Sequence, residues 1–499
     1  MFTFLNLNWN FLLLEIILST LFVCYIFLFP FKIGISNLRT AVIVYSAIMQ
    51  VLSFYSYYFF DCFIITNTTN YGFQYFIQLI NFPMTGIQLA FGLDGFSIVF
   101  IILTIFIFNI CFFSLDVNAK EFSIFIQLLI ILELLIILIF SVLDLFFFYF
   151  FFEASLIPMF FLVGFWGSRA RRIKATFYLF FYTMISSLLT LFIIIYILLQ
   201  VGSTFYPILL IYNFSEQEQF LLGFFVFITF ATKIPIMPFH IWLPEAHVEA
   251  PTIGSIILAS ILLKIGGYGF LRYLLPIFPK FCLYFLPLIF TLCITSVIYA
   301  SLTTLRQVDL KRIIAYSSIA HMNFVVLGIF SNSIYGIEGG FYLMIGHGIV
   351  STALFFLVGL LYGRFHTRLL SYFGGLIQVM PLCGGFFFLF TLGNIGFPGT
   401  SNFIGEILIL ISLYERNTFI TLLAGLGIIL SAVYSFLLFT KLFFGTLQVN
   451  YFINFYDINI TEFIILTTLG ICLILFGINS NLILDISLLS CYTLLLYAN

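Results

Sequence analysis

Apolar runs of about twenty residues, parted by short polar or proline-bearing stretches, recur along the whole chain. A helix needs about 20 apolar residues to cross a bilayer, and fourteen runs have that length: 11–30, 41–60, 95–114, 121–140, 142–165, 174–200, 219–241, 250–273, 281–303, 310–330, 336–362, 377–413, 417–445 and 459–478. A final run, 484–497, is short and fits the membrane interface. The pattern predicts an all-α polytopic membrane protein of about fourteen transmembrane helices. Residues 1–499 form a single transmembrane domain, because no polar stretch is long enough for a separate one.

Two runs are interrupted. The seventh carries Pro235 and Pro238 just after Lys233, and the twelfth carries Gly393, Gly396, Pro398 and Gly399 ahead of Glu406. Proline removes a backbone donor and breaks the helical ladder. In lipid the freed groups must be satisfied by protein or by water. Spans four to eight (121–273) and nine to thirteen (281–445) each contain five helices, and each break falls on the fourth. An odd number of helices turns the second copy upside down. The pattern therefore predicts two inverted five-helix repeats with a transport site at the broken helices 7 and 12. The alternative for either break alone is a proline kink in a core helix.

The basic residues test the span count. Loops after odd-numbered spans hold 13 Lys and Arg, whereas loops after even-numbered spans hold three, Arg272, Lys280 and Arg416. That bias is what the positive-inside rule requires, and an error of one span would have scrambled it. The odd loops then face the cytoplasm-equivalent side, which is the matrix in a mitochondrion. The cluster Arg169, Arg171, Arg172 and Lys174 reads as a topology anchor.

Composition narrows the function. The chain is 63% hydrophobic and 7% charged, with net charge −1, so it has no basic face for nucleic acid. Eight scattered cysteines without a CxxC pair do not suit iron–sulfur ligation. No Walker loop and no GxGxxG after a strand is present, so no nucleotide cofactor is expected in this chain. The N-terminus lacks an Arg-rich presequence, and its first apolar run reads as a retained helix. The 72 phenylalanines fit an AT-rich, organellar genome.

Against that apolar background the ionisable residues stand out. Lys233 and Lys264 lie in the middle of apolar runs, where a charge costs about 3 kcal/mol by insertion scales. Glu153, His321, His347 and Glu406 lie in similar segments. Such a set points to movement of a charge, most simply a proton. Glu153 has Lys233 as its natural partner: at ~4 Å and an effective dielectric near 20 the two attract by about 4 kcal/mol. Separating them would let the lysine release a proton, and the alternative is a static ion pair. Ser260 precedes Lys264 at helical spacing, Ser317 and Ser318 precede His321, and Ser351 follows His347. Thr183, Ser187 and Thr190 repeat the pattern. Such hydroxyls either hold a water wire or bond back to their own helix. The two histidines act as a relay or as hydrogen-bonded core residues. Asp144 either steers protons or caps a helix, and Glu133, within the fourth span, is a further candidate. His240, Glu245, His247 and Glu249 in WLPEAHVEAP offer zinc-type donors, but the prolines and the membrane-edge position favour a re-entrant turn.

The segments FFEASLIPMFFLVGFWG, FATKIPIMPFHIWLPEAHVEAPTIGSIILASILLKIGGYG, AYSSIAHMN and GNIGFPGTSNFIGEIL resemble the antiporter-like subunits of respiratory complex I, over about residues 90–445. The resemblance implies a fourteen-helix fold with two inverted repeats and proton translocation driven by NADH oxidation elsewhere in the complex. It matches Glu153 and Lys233 to an input ion pair, Lys264 to a central lysine, His321 and His347 to bridging histidines, and Glu406 to an acidic residue of the twelfth helix. That acid is informative, since other members of the family and Mrp-type cation/proton antiporters usually carry lysine there. The resemblance further implies that FMN, iron–sulfur clusters and quinone bind other subunits. Its implied partners are lipids and the antiporter-like chains 2 and 5, and its implied location is the mitochondrial inner membrane.

Overall fold

The computed structural model describes residues 35–58, 60, 73, 75–82, 85–115, 121–447 and 456–498. The predicted span 11–30 lies outside the described residues. The chain divides into two units, one formed by Met1–Phe230, Tyr268–Leu283 and Asp485–Asn499, the other by Ala231–Gly267 and Tyr284–Leu484.

The principal helices in chain order are α1 (Ile35–Tyr58), α2 (Gly95–Phe113), α3 (Phe122–Ser141), α4 (Leu145–Trp166), α5 (Arg172–Val201), α6 (Glu216–Lys233) and α7 (Trp242–Glu249). They continue as α8 (Thr252–Ile277), α9 (Leu286–Arg306), α10 (Leu310–Ile329), α11 (Ile334–Phe365), α12 (Pro381–Ile395) and α13 (Ser401–Arg416). The last three are α14 (Thr418–Phe443), α15 (Ile460–Ile478) and α16 (Asn481–Ala498). Among the described residues, eleven helices are long and apolar enough to cross a membrane. The two predicted breaks fall between α6 and α7 and between α12 and α13.

In the first unit α2, α3 and α4 form the apolar centre. Asp94 caps α2 through a capping box in which its carboxylate accepts from the Ser97 N–H at 2.9 Å. A two-stranded antiparallel hairpin, β1 (Tyr75–Phe82) and β2 (Ile87–Leu93), precedes that cap and was not foreseen from the sequence. Its strand β2 is tied to the α3–α4 connector, where the Leu143 N–H donates to the Ala90 carbonyl at 3.0 Å. The α16 helix closes on the start of α2, and its Ser490 hydroxyl accepts from the Gly95 N–H at 3.0 Å.

In the second unit α10 and α11 are the innermost helices, with almost every residue of α10 buried. Small residues let the helices approach closely: a Cβ built on Gly405 of α13 would press on Leu343 of α11, and one on Gly339 would press on α13. Lipid gives no hydrophobic drive between helices, so such close packing holds membrane bundles together.

Arg272 departs from its predicted loop position. It lies inside α8 and is buried, with its guanidinium 2.9 Å from the Asp94 carboxylate. The apolar run simply extends further than the hydropathy edge suggested.

Candidate functional site

The site is built around the two helix breaks, after Lys233 and after Ile395, both of which fall in the second unit. At the first break Pro235 has no N–H to donate to Ala231, and the Ile236 N–H donates there instead at 3.0 Å. The Thr232 carbonyl, left without its helical donor, accepts from the Trp242 indole N–H at 2.8 Å. The Pro235 carbonyl accepts from the Asn323 amide of α10 at 3.3 Å. Lys233 therefore ends α6 where the backbone has left the helix. Its side chain is buried, and its Cβ packs against Gly266 of α8.

Helix α8 is not regular. Residues Leu258–Leu262 form a π-helical turn. Such bulges widen the helix locally and often mark functional sites. Here the Lys264 Nζ reaches back to the Ala259 carbonyl, five residues earlier, at 2.7 Å. Lys264 is 0% exposed, and its Nζ also stands 2.9 Å from His347 Nδ1 of α11. The His347 ring lies 5.7 Å from the His321 ring of α10, centroid to centroid. His321 Nδ1 is 3.6 Å from a Glu406 carboxylate oxygen of α13, slightly beyond a direct hydrogen bond. Lys264, His347, His321 and Glu406 thus form one buried series across four helices.

At the second break Gly396 takes φ +77° after α12, a left-handed conformation that suits glycine. A Cβ there would collide with the Glu406 carboxylate. The break therefore lets the acid fold back beside the backbone. Two residues that sequence reasoning did not single out complete this end. The Tyr434 hydroxyl of α14 is 3.4 Å from His321 Nε2, and Asn394, in the last turn of α12, lies beside both residues. Neither is distinguished in the sequence, since Tyr434 is one of 28 tyrosines.

Glu153 lies half-buried in α4, in the first unit, one turn beyond Tyr149. Lys233 belongs to the second unit. The sequence-predicted pair is therefore divided between the two. Asp144 is the N-cap of α4: one carboxylate oxygen accepts from the Phe146 N–H at 2.8 Å and the Thr204 hydroxyl at 2.7 Å, and the other from the Gln88 N–H at 2.8 Å. Burial of this connector pushes the Asp144 carboxyl pKa up, and those hydrogen bonds oppose the rise. Glu133 of α3 accepts from the Tyr45 hydroxyl of α1 at 3.3 Å.

The WLPEAHVEAP donors do not converge. Glu245 pairs with Arg312 at 2.8 Å, the His247 ring stacks on Phe355 at 4.8 Å, and His240 lies edge-on to Tyr299 at 5.5 Å. No group of three or more His, Cys, Asp or Glu suited to a metal occurs among the described residues. The hydroxyl stripes bond back to their own helices: Ser260 to Ile256, Ser317 to Ile314, Ser318 to Ala315, Ser351 to Gly348 and Thr183 to Leu179.

Asp94 and Arg272 form a second buried ionic group, in the first unit. The guanidinium lies over the rings of Phe73, Tyr206 and Tyr268 at 4.7, 5.2 and 5.4 Å. The Tyr268 hydroxyl donates to the Phe140 carbonyl at 3.0 Å and accepts from Arg272 at 3.1 Å. A lone arginine eight residues after Lys264 in an apolar run was the available sequence signal.

Residues 142–431 match the sequence model of the NADH:quinone oxidoreductase/Mrp antiporter transmembrane family. The chain is 52% identical over 413 residues to NADH-ubiquinone oxidoreductase chain 4 of Chondrus crispus, covering 82% of this chain and 83% of that one. It is 48% identical to the Marchantia polymorpha protein of the same name, covering 82% and 83%. The fold matches a chain of respiratory complex I from Thermus thermophilus with TM-score 0.86 and 26% identity, over 98% of this chain and 99% of that one. More than half of the sequence fits the family model and four-fifths aligns with these relatives, so the chain belongs to the NADH:quinone oxidoreductase/Mrp antiporter family and, within it, to the NADH-ubiquinone oxidoreductase chain 4 group.

Proposed function

We propose that this chain is a proton-translocating membrane-arm subunit of respiratory complex I, coupling NADH:ubiquinone electron transfer to proton pumping. The observation that carries the reading is the buried series Lys264–His347–His321–Glu406 inside a membrane helix bundle. Each member can give or take a proton, and a cation held at such depth without a task would only destabilise the fold.

The proposed path begins at Glu153 and Lys233, continues through Lys264 and the two histidines, and leaves near Glu406. His240 and Asp144 are secondary candidates on it. Quinone reduction alters neighbouring subunits, the Glu153–Lys233 pairing responds, and the change propagates along the series. Moving one charge against 100 mV requires about 2.3 kcal/mol, which a single ion-pair rearrangement near 4 kcal/mol can supply. Residues 121–273 and 281–445 serve as the two inverted repeats that carry the broken helices. Electron transfer belongs to other subunits, which hold FMN, the iron–sulfur clusters and quinone. The neighbours are the antiporter-like chains 2 and 5, and the setting is the mitochondrial inner membrane, with the gene in the organelle.

Membership of a family that includes Mrp-type antiporters raises freestanding cation/proton exchange as the rival. An acid rather than a lysine at position 406, and the identity to chain 4 relatives, support the complex I reading. The test is NADH-driven proton pumping in membrane vesicles carrying Glu153→Gln or Lys233→Ala. Pumping should collapse in both, and intact pumping in assembled complex would refute the path.

A further inference from the structure

Asn402 is 0% exposed, yet neither its amide nitrogen nor its amide oxygen has a hydrogen-bond partner. The Ser401 hydroxyl beside it is buried and unpartnered as well. Most other buried serines and threonines of this unit bond back to their own helix, as Ser317, Ser318, Thr352 and Ser412 do. Ser401 and Asn402 open α13, a helix of 16 residues, immediately after the second break. Both pack against Gly346 of α11, the residue next to His347: a Cβ there would collide with the Asn402 amide oxygen and the Ser401 hydroxyl.

Buried polar atoms in native proteins find a partner in protein or ordered water. Internal waters make about three such bonds. This place offers an amide donor, an amide acceptor and a hydroxyl that serves as either. A bare cation would leave the amide N–H unsatisfied and would face the positive end of the α13 dipole. An anion would leave the amide oxygen unsatisfied and would meet Glu406. Only a ligand that both donates and accepts answers all three groups.

Asn402 precedes Glu406 by four residues, so the two side chains share one face of α13. We propose that Ser401 and Asn402 hold an internal water site at the start of α13, and that this water joins the Glu406 carboxylate to the break between α12 and α13. The inference rests on the proton-translocating reading and deepens it. The side-chain series runs out at Glu406, and the bound water supplies the next proton-accepting position. Ser401 and Asn402 hold the water and are positioning residues.

The experiment has two arms on the assembled complex. A density map fine enough to show water should reveal solvent within hydrogen-bonding distance of Asn402 and Ser401, and dry packing there would overturn the site. NADH-driven pumping should fall on the order of tenfold in Asn402→Leu, which keeps the volume and removes both polar atoms, and should largely recover in Asn402→Ser. Normal pumping in Asn402→Leu beside a defective Glu406→Gln would overturn the water route alone. Normal pumping in Glu406→Gln would overturn the proton path itself. If Asn402→Leu fails to assemble, the wild-type map decides.

Discussion

Lys264 Nζ and His347 Nδ1 stand 2.9 Å apart in a place that solvent does not reach. One of the two nitrogens must offer a lone pair for this contact to be a hydrogen bond, so the pair carries at most one excess proton. Either Lys264 is an ammonium that donates to a neutral imidazole, or it is an amine. The Ala259 carbonyl, within the π-turn, accepts from Lys264 in both cases.

That limit predicts a specific failure for Lys264→Arg. A guanidinium keeps the charge but cannot release its proton. The expected outcome is assembled complex whose NADH-driven pumping is reduced roughly tenfold or more. Proton uptake into inverted vesicles, normalised to assembled complex on a native gel, measures it. Pumping at the wild-type rate would mean that charge alone, not proton transfer, is needed at this position.

A comparison of two glycines isolates the role of the Glu406 conformation. Gly396 and Gly399 both have positive φ, at +77° and +92°, but only at Gly396 would a Cβ meet the Glu406 carboxylate. Each alanine substitution bears a backbone cost of about 1–2 kcal/mol. Gly399→Ala should lose that much stability and keep its pumping rate. Gly396→Ala should lose stability and pumping together, because the carboxylate must move away from its place beside the break. Thermal denaturation of the complex and vesicle pumping, measured on both variants, separate the two effects.

Eleven of the fourteen spans and both breaks were legible because a membrane crossing imposes a length, and proline imposes a missing donor. The titratable residues of the site were legible for a related reason: charge is rare enough in lipid to announce itself. What surrounds them was not. Asn394 and Tyr434 acquire meaning only from what lies against His321, and no periodicity marks them. Arg272 was assigned to a loop because a hydropathy window cannot see a partner 178 positions away at Asp94. The β-hairpin was missed because Tyr75–Phe82 reads as one more apolar stretch. The hydroxyl stripes, read as a possible water wire, bond to their own backbone, whereas the Ser401 hydroxyl, outside those stripes, is left unsatisfied.

The buried Arg272–Asp94 pair predicts a large but repairable loss. Asp94→Ala removes the counter-charge and leaves a guanidinium uncompensated among Phe73, Tyr206 and Tyr268. Breaking a buried pair in this way costs about 3–5 kcal/mol. Complex assembly on a native gel should drop sharply in Asp94→Ala. The double variant Asp94→Leu with Arg272→Met removes both charges, and its assembly should recover in part. If the double variant is no better than the single, the pair acts through something other than charge balance.

Asp144 offers the sharpest contrast between a cap and a proton carrier. Its two carboxylate oxygens accept three hydrogen bonds that join α4 to β2 and to the segment after α5. Asp144→Ala removes all three, and loss of a cap costs about 1–2 kcal/mol. Asp144→Asn keeps an oxygen for Phe146 and Thr204 but turns a donor toward the Gln88 N–H, so it should lie between the wild type and alanine. Capping therefore predicts a graded fall in thermal stability, with pumping per assembled complex unchanged in both variants. A proton carrier predicts a loss of activity without grading, because asparagine and alanine alike abolish ionisation: pumping per assembled complex would fall equally in the two. Melting curves and vesicle pumping measured side by side on Asp144→Asn and Asp144→Ala decide between them.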